Sequence, residues 1–157
     1  MPRTVVHTER APRPIGPYCQ AVLERRHGTA TLWCAGQIAL DPETMEIVPG
    51  DAGAHTERVM RNVGAVLEAA GMGFSDVVRS TIYVTALADL PKVNEAYGAC
   101  FTGTAPPRST VQVAGLPRGS LVEIEVLAVA PASPARRRRP GSVRSRPRGA
   151  VGGSARR

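Results

Sequence analysis

Long apolar runs are missing from this chain of 157 residues. No stretch of about 18 consecutive apolar residues occurs, so no membrane-spanning helix is expected. The first residues, Met1-Pro2-Arg3-Thr4-Val5-Val6-His7-Thr8-Glu9, lack the apolar core of a secretory signal. Aromatics are scarce, with two Phe, one Trp and three Tyr. A nucleic-acid surface built on base stacking is therefore disfavoured. Cysteine is odd in number and widely spaced (Cys19, Cys34, Cys100), without a C-x-x-C or Cys/His pattern. Neither a disulfide framework nor a zinc site is expected, and free thiols fit a reducing cytoplasm. His7, His27 and His55 are scattered and read as surface or loop histidines.

Acidic residues are missing from one region only. Pro134 to Arg157 holds nine arginines and no Asp or Glu, which leaves residues 1–133 with eleven basic against thirteen acidic side chains. The formal charge of +7 thus belongs to a tail, and the rest is mildly acidic. We divide the chain into one domain, 1–131, and an Arg/Pro/Gly-rich tail, 132–157. The tail has almost nothing apolar to bury and is expected to be disordered. It could grip RNA, DNA or anionic lipid weakly by charge, or be an incidental extension; with no interleaved aromatics the second reading is preferred.

What is present is a 43% apolar chain rich in Val, Ile, Leu and Ala, enough for one core. Cys19–Arg26 and Ala30–Ala35 read as strands joined at His27-Gly28. A helix is expected from about Asp51 to Ala70, because Val59, Val63, Val66, Leu67 and Ala70 form one stripe, with Gly71 as its stop. Val77–Thr85 suits a strand. Leu90, Val93, Tyr97, Cys100 and Phe101 repeat at helical spacing. Thr110–Val113 and Leu121–Ala130 complete a ββ-α-β-α-ββ order, with a short first strand at Thr4–His7. Two helices on one face of a mixed sheet is the economical α+β packing. The other face would still carry apolar side chains such as Ile82 or Tyr83, and such a face usually finds a partner.

Chemistry concentrates at Pro106-Pro107-Arg108-Ser109-Thr110-Val111. Two prolines stiffen the loop that delivers Arg108 to a strand. A guanidinium so held can grip a carboxylate through two parallel hydrogen bonds; the plainer reading is a surface ion pair. On the last strand Glu123 and Glu125 share one face at period two, and both need water or partners.

Alongside that segment stand Ile15-Gly16-Pro17-Tyr18, Ala35-Gly36-Gln37-Ile38, Val93-Asn94-Glu95-Ala96-Tyr97 and Val122-Glu123-Ile124-Glu125. In this order and spacing, over roughly residues 4–131, the chain resembles the Rid/YjgF family of reactive-intermediate (enamine/imine) deaminases. The resemblance implies a chorismate-mutase-like α+β fold and a homotrimer with sites in the clefts between subunits. It implies hydrolysis of 2-aminoacrylate-like imines to 2-keto acids and ammonia, with no metal and no cofactor. Arg108 would bind the substrate carboxylate and Glu123 would hold the attacking water. Tyr18, Gly36, Asn94 and Thr110 would line the substrate pocket. Two positions depart from the family pattern: Ala35 stands where serine is usual, and Thr110 where cysteine is frequent. Rival readings are a binding module for a small carboxylate without turnover, and an RNA-binding or ribonuclease-type inhibitor of translation.

Overall fold

In the computed structural model, residues 3–132 are described. A single six-stranded sheet runs in the order β1-β2-β3-β6-β4-β5. Its strands are β1 (Arg3–Val6), β2 (Ala21–Arg26), β3 (Thr29–Ile38), β4 (Val77–Val84), β5 (Arg108–Gln112) and β6 (Val122–Pro131). All neighbours pair antiparallel except β4 and β5, which run parallel. Helices α1 (Ala52–Ala69) and α2 (Leu90–Gly98) cover one face. The α+β arrangement expected from the sequence is the one observed. The tail lies outside the described residues.

Local chemistry explains the boundaries. His27 and Gly28 both take positive φ, 48° and 79°, which is the twist a tight β2–β3 hairpin needs. Asp51 stands just before α1 as its cap, and its carboxylate accepts from the N–H groups of Gly53 and Ala54. At the other end Gly71 (φ 76°) donates to the Glu68 carbonyl while Met72 donates to that of Leu67. This Schellman closure satisfies the last carbonyls of the helix. The second helix ends at Gly98, so Cys100 and Phe101 continue its stripe in a following turn rather than in the helix.

The stripe Val59, Val63, Val66 and Leu67 is fully buried against Leu32, Ile82, Val84, Val122, Ile124 and Ala128 from the central strands. Removing water from such side chains contributes about 1.5–3 kcal/mol each. Two sequence assignments need correction here. Ile82 lies in this core under the helices, because a one-residue step along β4 switches faces; only Tyr83 points to the uncovered side. His55 is not a surface histidine. It is 4% exposed on α1, and its Nδ1 accepts the Leu121 N–H at 3.1 Å.

The uncovered face carries an apolar row across four strands, from Val5 through Val22 and Trp33 to Leu127, each residue cross-strand from the next. Val5 is 64% and Trp33 55% exposed. A sheet face of this kind, among the described residues, has no layer over it.

Candidate active site

Two clusters emerge, one on each side of the sheet. The first is built on β5. Ser80 of β4 pairs with Arg108, and Ser80 is fully buried with its Oγ on the Tyr97 hydroxyl, 2.8 Å away, beneath α2. In-register partners share a face, so Arg108 also points to the helix side, at the exposed edge of the sheet. There its guanidinium donates to Asn94 Oδ1 and lies 5.0 Å from the centre of the Tyr97 ring. Asn94 and Tyr97 are three residues apart on α2 and so present neighbouring side chains. Thr110, two residues along β5, shares the face and is half-buried. Among the described residues, Arg108 has no carboxylate partner.

The second cluster is built on β6. Glu123 pairs with Tyr83 of β4, so it projects from the uncovered face, as does Glu125. Burial pushes the Glu123 carboxyl above its ordinary range, and the Glu125 charge adds to the shift. Tyr83 Oη donates to Glu125 at 3.4 Å and ties the two strands together. On β3 the ladder slips between Cys34 and Gln37, where one extra residue makes a bulge containing Ala35 and Gly36. The Glu123 carboxylate fills the space this opens: a Cβ on Gly36 would stand 2.0 Å from Glu123 Oε1. Gly36 is therefore small for the sake of a glutamate, a role the sequence did not disclose.

Tyr18 lies in the loop before β2. It is 49% exposed, and its hydroxyl accepts the Ile15 N–H at 3.2 Å. Gln20 organises that loop. Its amide donates to the carbonyls of Thr8, Ala11 and Pro12 and accepts from the Thr8 N–H. The Gln20 carbonyl also accepts from the Ala35 N–H, which brings the Tyr18 loop alongside the β3 bulge. Sequence reasoning missed Gln20, because a lone glutamine carries no spacing signal.

Of the six predicted site residues, Arg108, Asn94 and Thr110 thus share one cluster, and Glu123 and Gly36 the other, with Tyr18 at the same end as the second. The two clusters do not meet within one chain. Arg108 and Glu123 lie two strands apart and three residues out of step, about 14 Å between backbones by strand geometry, on opposite faces. Two of the three free thiols are held in their neutral form. Burial, helped by Glu125, pushes Cys34 up to about 12, and burial also raises Cys100.

Comparisons with known proteins bear on the family of the whole chain. The family model described as Endoribonuclease L-PSP matches residues 8–130. The protein DfrA of Myxococcus xanthus is 55% identical over 129 residues, covering 82% of this chain and 97% of that one. The 2-iminobutanoate/2-iminopropanoate deaminase of Mus musculus is 43% identical, covering 81% of this chain and 91% of its own.

This chain belongs to the Rid/YjgF family.

Among solved structures, the RidA of an Antarctic Psychrobacter species superposes with a TM-score of 0.73 at 38% identity, covering 80% of this chain and 98% of its own. The Rid fold therefore accounts for nearly all the described residues. No helix among them is long and apolar enough to cross a membrane.

Proposed function

We propose that this Rid protein is a 2-iminobutanoate/2-iminopropanoate deaminase-type hydrolase, working as a homotrimer whose sites lie between subunits. The observation that carries the reading is Arg108. It is a guanidinium steadied by Asn94 and Tyr97, open to solvent, with no carboxylate of its own among the described residues. Such a group suits capture of a small carboxylate from solution.

A 2-imino acid has that carboxylate beside a C=N bond. Water adds to the imine carbon and gives up a proton to the Glu123 carboxylate, which passes it to the nitrogen as the C–O bond forms and the C=N π pair moves there. The resulting carbinolamine collapses: its hydroxyl proton moves through Glu123 to the nitrogen, the C–N bond breaks, ammonia leaves, and a 2-keto acid remains. The upward-shifted carboxyl of Glu123 suits proton exchange near neutrality better than an ordinary glutamate would. Binding, orientation and one proton relay are sufficient for this reaction, and it needs no cofactor.

The opposed faces supply the argument for assembly. One copy offers Arg108, Asn94 and Thr110 at its sheet edge, while another offers Glu123 and Gly36 on its uncovered face, with the Tyr18 loop alongside the bulge. The apolar row of Val5, Val22, Trp33 and Leu127 gives the copies a reason to associate. The ribonuclease wording of the family model finds little support in residues 1–133, with eleven basic against thirteen acidic side chains.

The test uses 2-aminoacrylate generated in place by a serine dehydratase. Pyruvate and ammonia should appear faster with the protein than without it. Binding of 2-oxobutyrate with no acceleration would favour a carboxylate-binding module instead.

A further inference from the structure

The Arg108 cluster contains one residue that no substrate would touch. Tyr97 is 2% exposed, yet the Arg108 guanidinium lies 5.0 Å above its ring. The ring is fixed at both ends. Its hydroxyl shares a 2.8 Å hydrogen bond with the buried Ser80 Oγ, and its flank packs on Phe101 at 4.8 Å, itself edge-on to Phe74. Ser80 also donates its backbone N–H to the Pro107 carbonyl, one residue before Arg108. One buried serine therefore holds both the loop that delivers the guanidinium and the ring beneath it.

We propose that Tyr97 is a positioning residue for the carboxylate grip. Its π-face, locked by Ser80 and Phe101, supports the Arg108 guanidinium from below while Asn94 holds it from the side, leaving the remaining N–H groups aimed outward. An arginine on a bare strand edge samples many rotamers, and each carboxylate it binds must first restrict them. A ring at cation–π distance confines the guanidinium beforehand, so substrate binding has less freedom to remove. Tyr97 has no atom at the reacting carbon, so its contribution belongs to KM and not to kcat.

This inference rests on Arg108 being the carboxylate grip, and the experiment separates the two. In the full-length chain, position 97 is occupied in turn by phenylalanine and its mono-, di- and trifluorinated forms. Shape is kept while the negative ring face is progressively removed. Relative to Tyr97→Phe, the trifluoro form should raise KM for 2-aminoacrylate, and Kd for 2-oxobutyrate, about two- to fivefold, with kcat unchanged. The order parameter of the Arg108 Nε–H by NMR should fall along the same series, a readout that needs no substrate. Flat KM, Kd and order parameter would overturn the positioning role. A falling order parameter in a protein whose Arg108→Ala variant binds 2-oxobutyrate as well as wild type would instead sink the reading of Arg108 and leave Tyr97 its support. A purely structural Tyr97 predicts no trend with fluorination, because packing is constant across the series.

Discussion

The two faces of the sheet solve opposite problems. Under the helices the apolar side chains are complete in themselves: Ile82, Val84, Val122 and Ile124 are all buried within one chain. On the uncovered face Trp33 and Val5 stand more than half exposed, and two carboxylates sit side by side on β6. The same division separates the candidate site residues, with Arg108 on the helix side of the edge strand and Glu123 on the bare side. The contrast teaches that the buried core belongs to one face, while the candidate site residues are divided between both. The covered face folds the chain, and under the proposed function a second copy brings its Glu123 to the Arg108 edge of the first.

The largest effect should come from the helix-side cluster. Arg108→Ala removes a two-point grip that typically contributes about 2–5 kcal/mol. It should lower kcat/KM on 2-aminoacrylate roughly thirty-fold to several thousand-fold. Arg108→Lys should recover little, since an ammonium cannot make the parallel contact. The edge position predicts that neither variant alters the melting temperature by more than a few degrees. Wild-type rates in Arg108→Ala would leave the arginine as a surface charge.

The next effect belongs to the bare face. Gly36→Ala drives a methyl into the Glu123 carboxylate. Displacing that group by about 1 Å should reduce kcat on the order of tenfold to a hundredfold, since catalysis is that sensitive to position. A crystal structure of the variant should show the glutamate moved. An active Gly36→Ala protein with Glu123 displaced would detach the glutamate from the reaction.

How far the two faces were legible in the sequence can be judged from particular residues. The α1 stripe and its Gly71 stop, the His27-Gly28 hairpin and the alternation along β6 are local patterns, and each appeared where it was read. The side of the sheet on which Arg108 falls is not local. It follows from β5 pairing parallel to β4 with Ser80 opposite Arg108, which nothing near residue 108 encodes. The same is true of Gly36 beneath Glu123, a contact made across a bulge between strands 87 residues apart. Ile82 falls on the face opposite to its expected one because Val, Ile and Tyr occupy both parities of β4, which hides the buried one. His55 was read as exposed because its partner, the Leu121 N–H, lies 66 residues away.

A smaller effect concerns pH. Burial and the Glu125 charge both raise the Glu123 carboxyl. If its ionised form receives the proton, the acidic limb of kcat/KM should lie above the ordinary glutamate range of about 4.3. Glu125→Gln removes the neighbouring charge and should move that limb to lower pH, leaving the plateau within about twofold by the same argument. A limb that stayed in place would mean that another group controls it.

The smallest effect lies beneath both faces. Burial lowers the pKa of His55 below 6.5, and its neutral Nδ1 accepts from Leu121 at the start of β6. As pH falls below about 6.5, the unfolded chain takes up a proton that the folded chain resists. The contribution of His55 is therefore full above that pH and declines towards the folded-state value. One such proton limits the slope to about 1.4 kcal/mol per pH unit. Urea midpoints between pH 8 and pH 5 should fall more steeply for wild type than for His55→Gln; parallel curves would remove His55 from the account.

The central claim is that Arg108 of one copy works with Glu123 of another, and mixed assemblies test it most directly. Arg108→Ala and Glu123→Gln proteins, each nearly inactive alone, are unfolded together in equal amounts and refolded. If sites lie between copies, some interfaces will join an intact Arg108 to an intact Glu123. Random mixing then restores about a quarter of wild-type turnover on 2-aminoacrylate. A mixture that stays as inactive as its parents, while mass spectrometry shows mixed assemblies present, would contradict the account and confine the chemistry to a single chain.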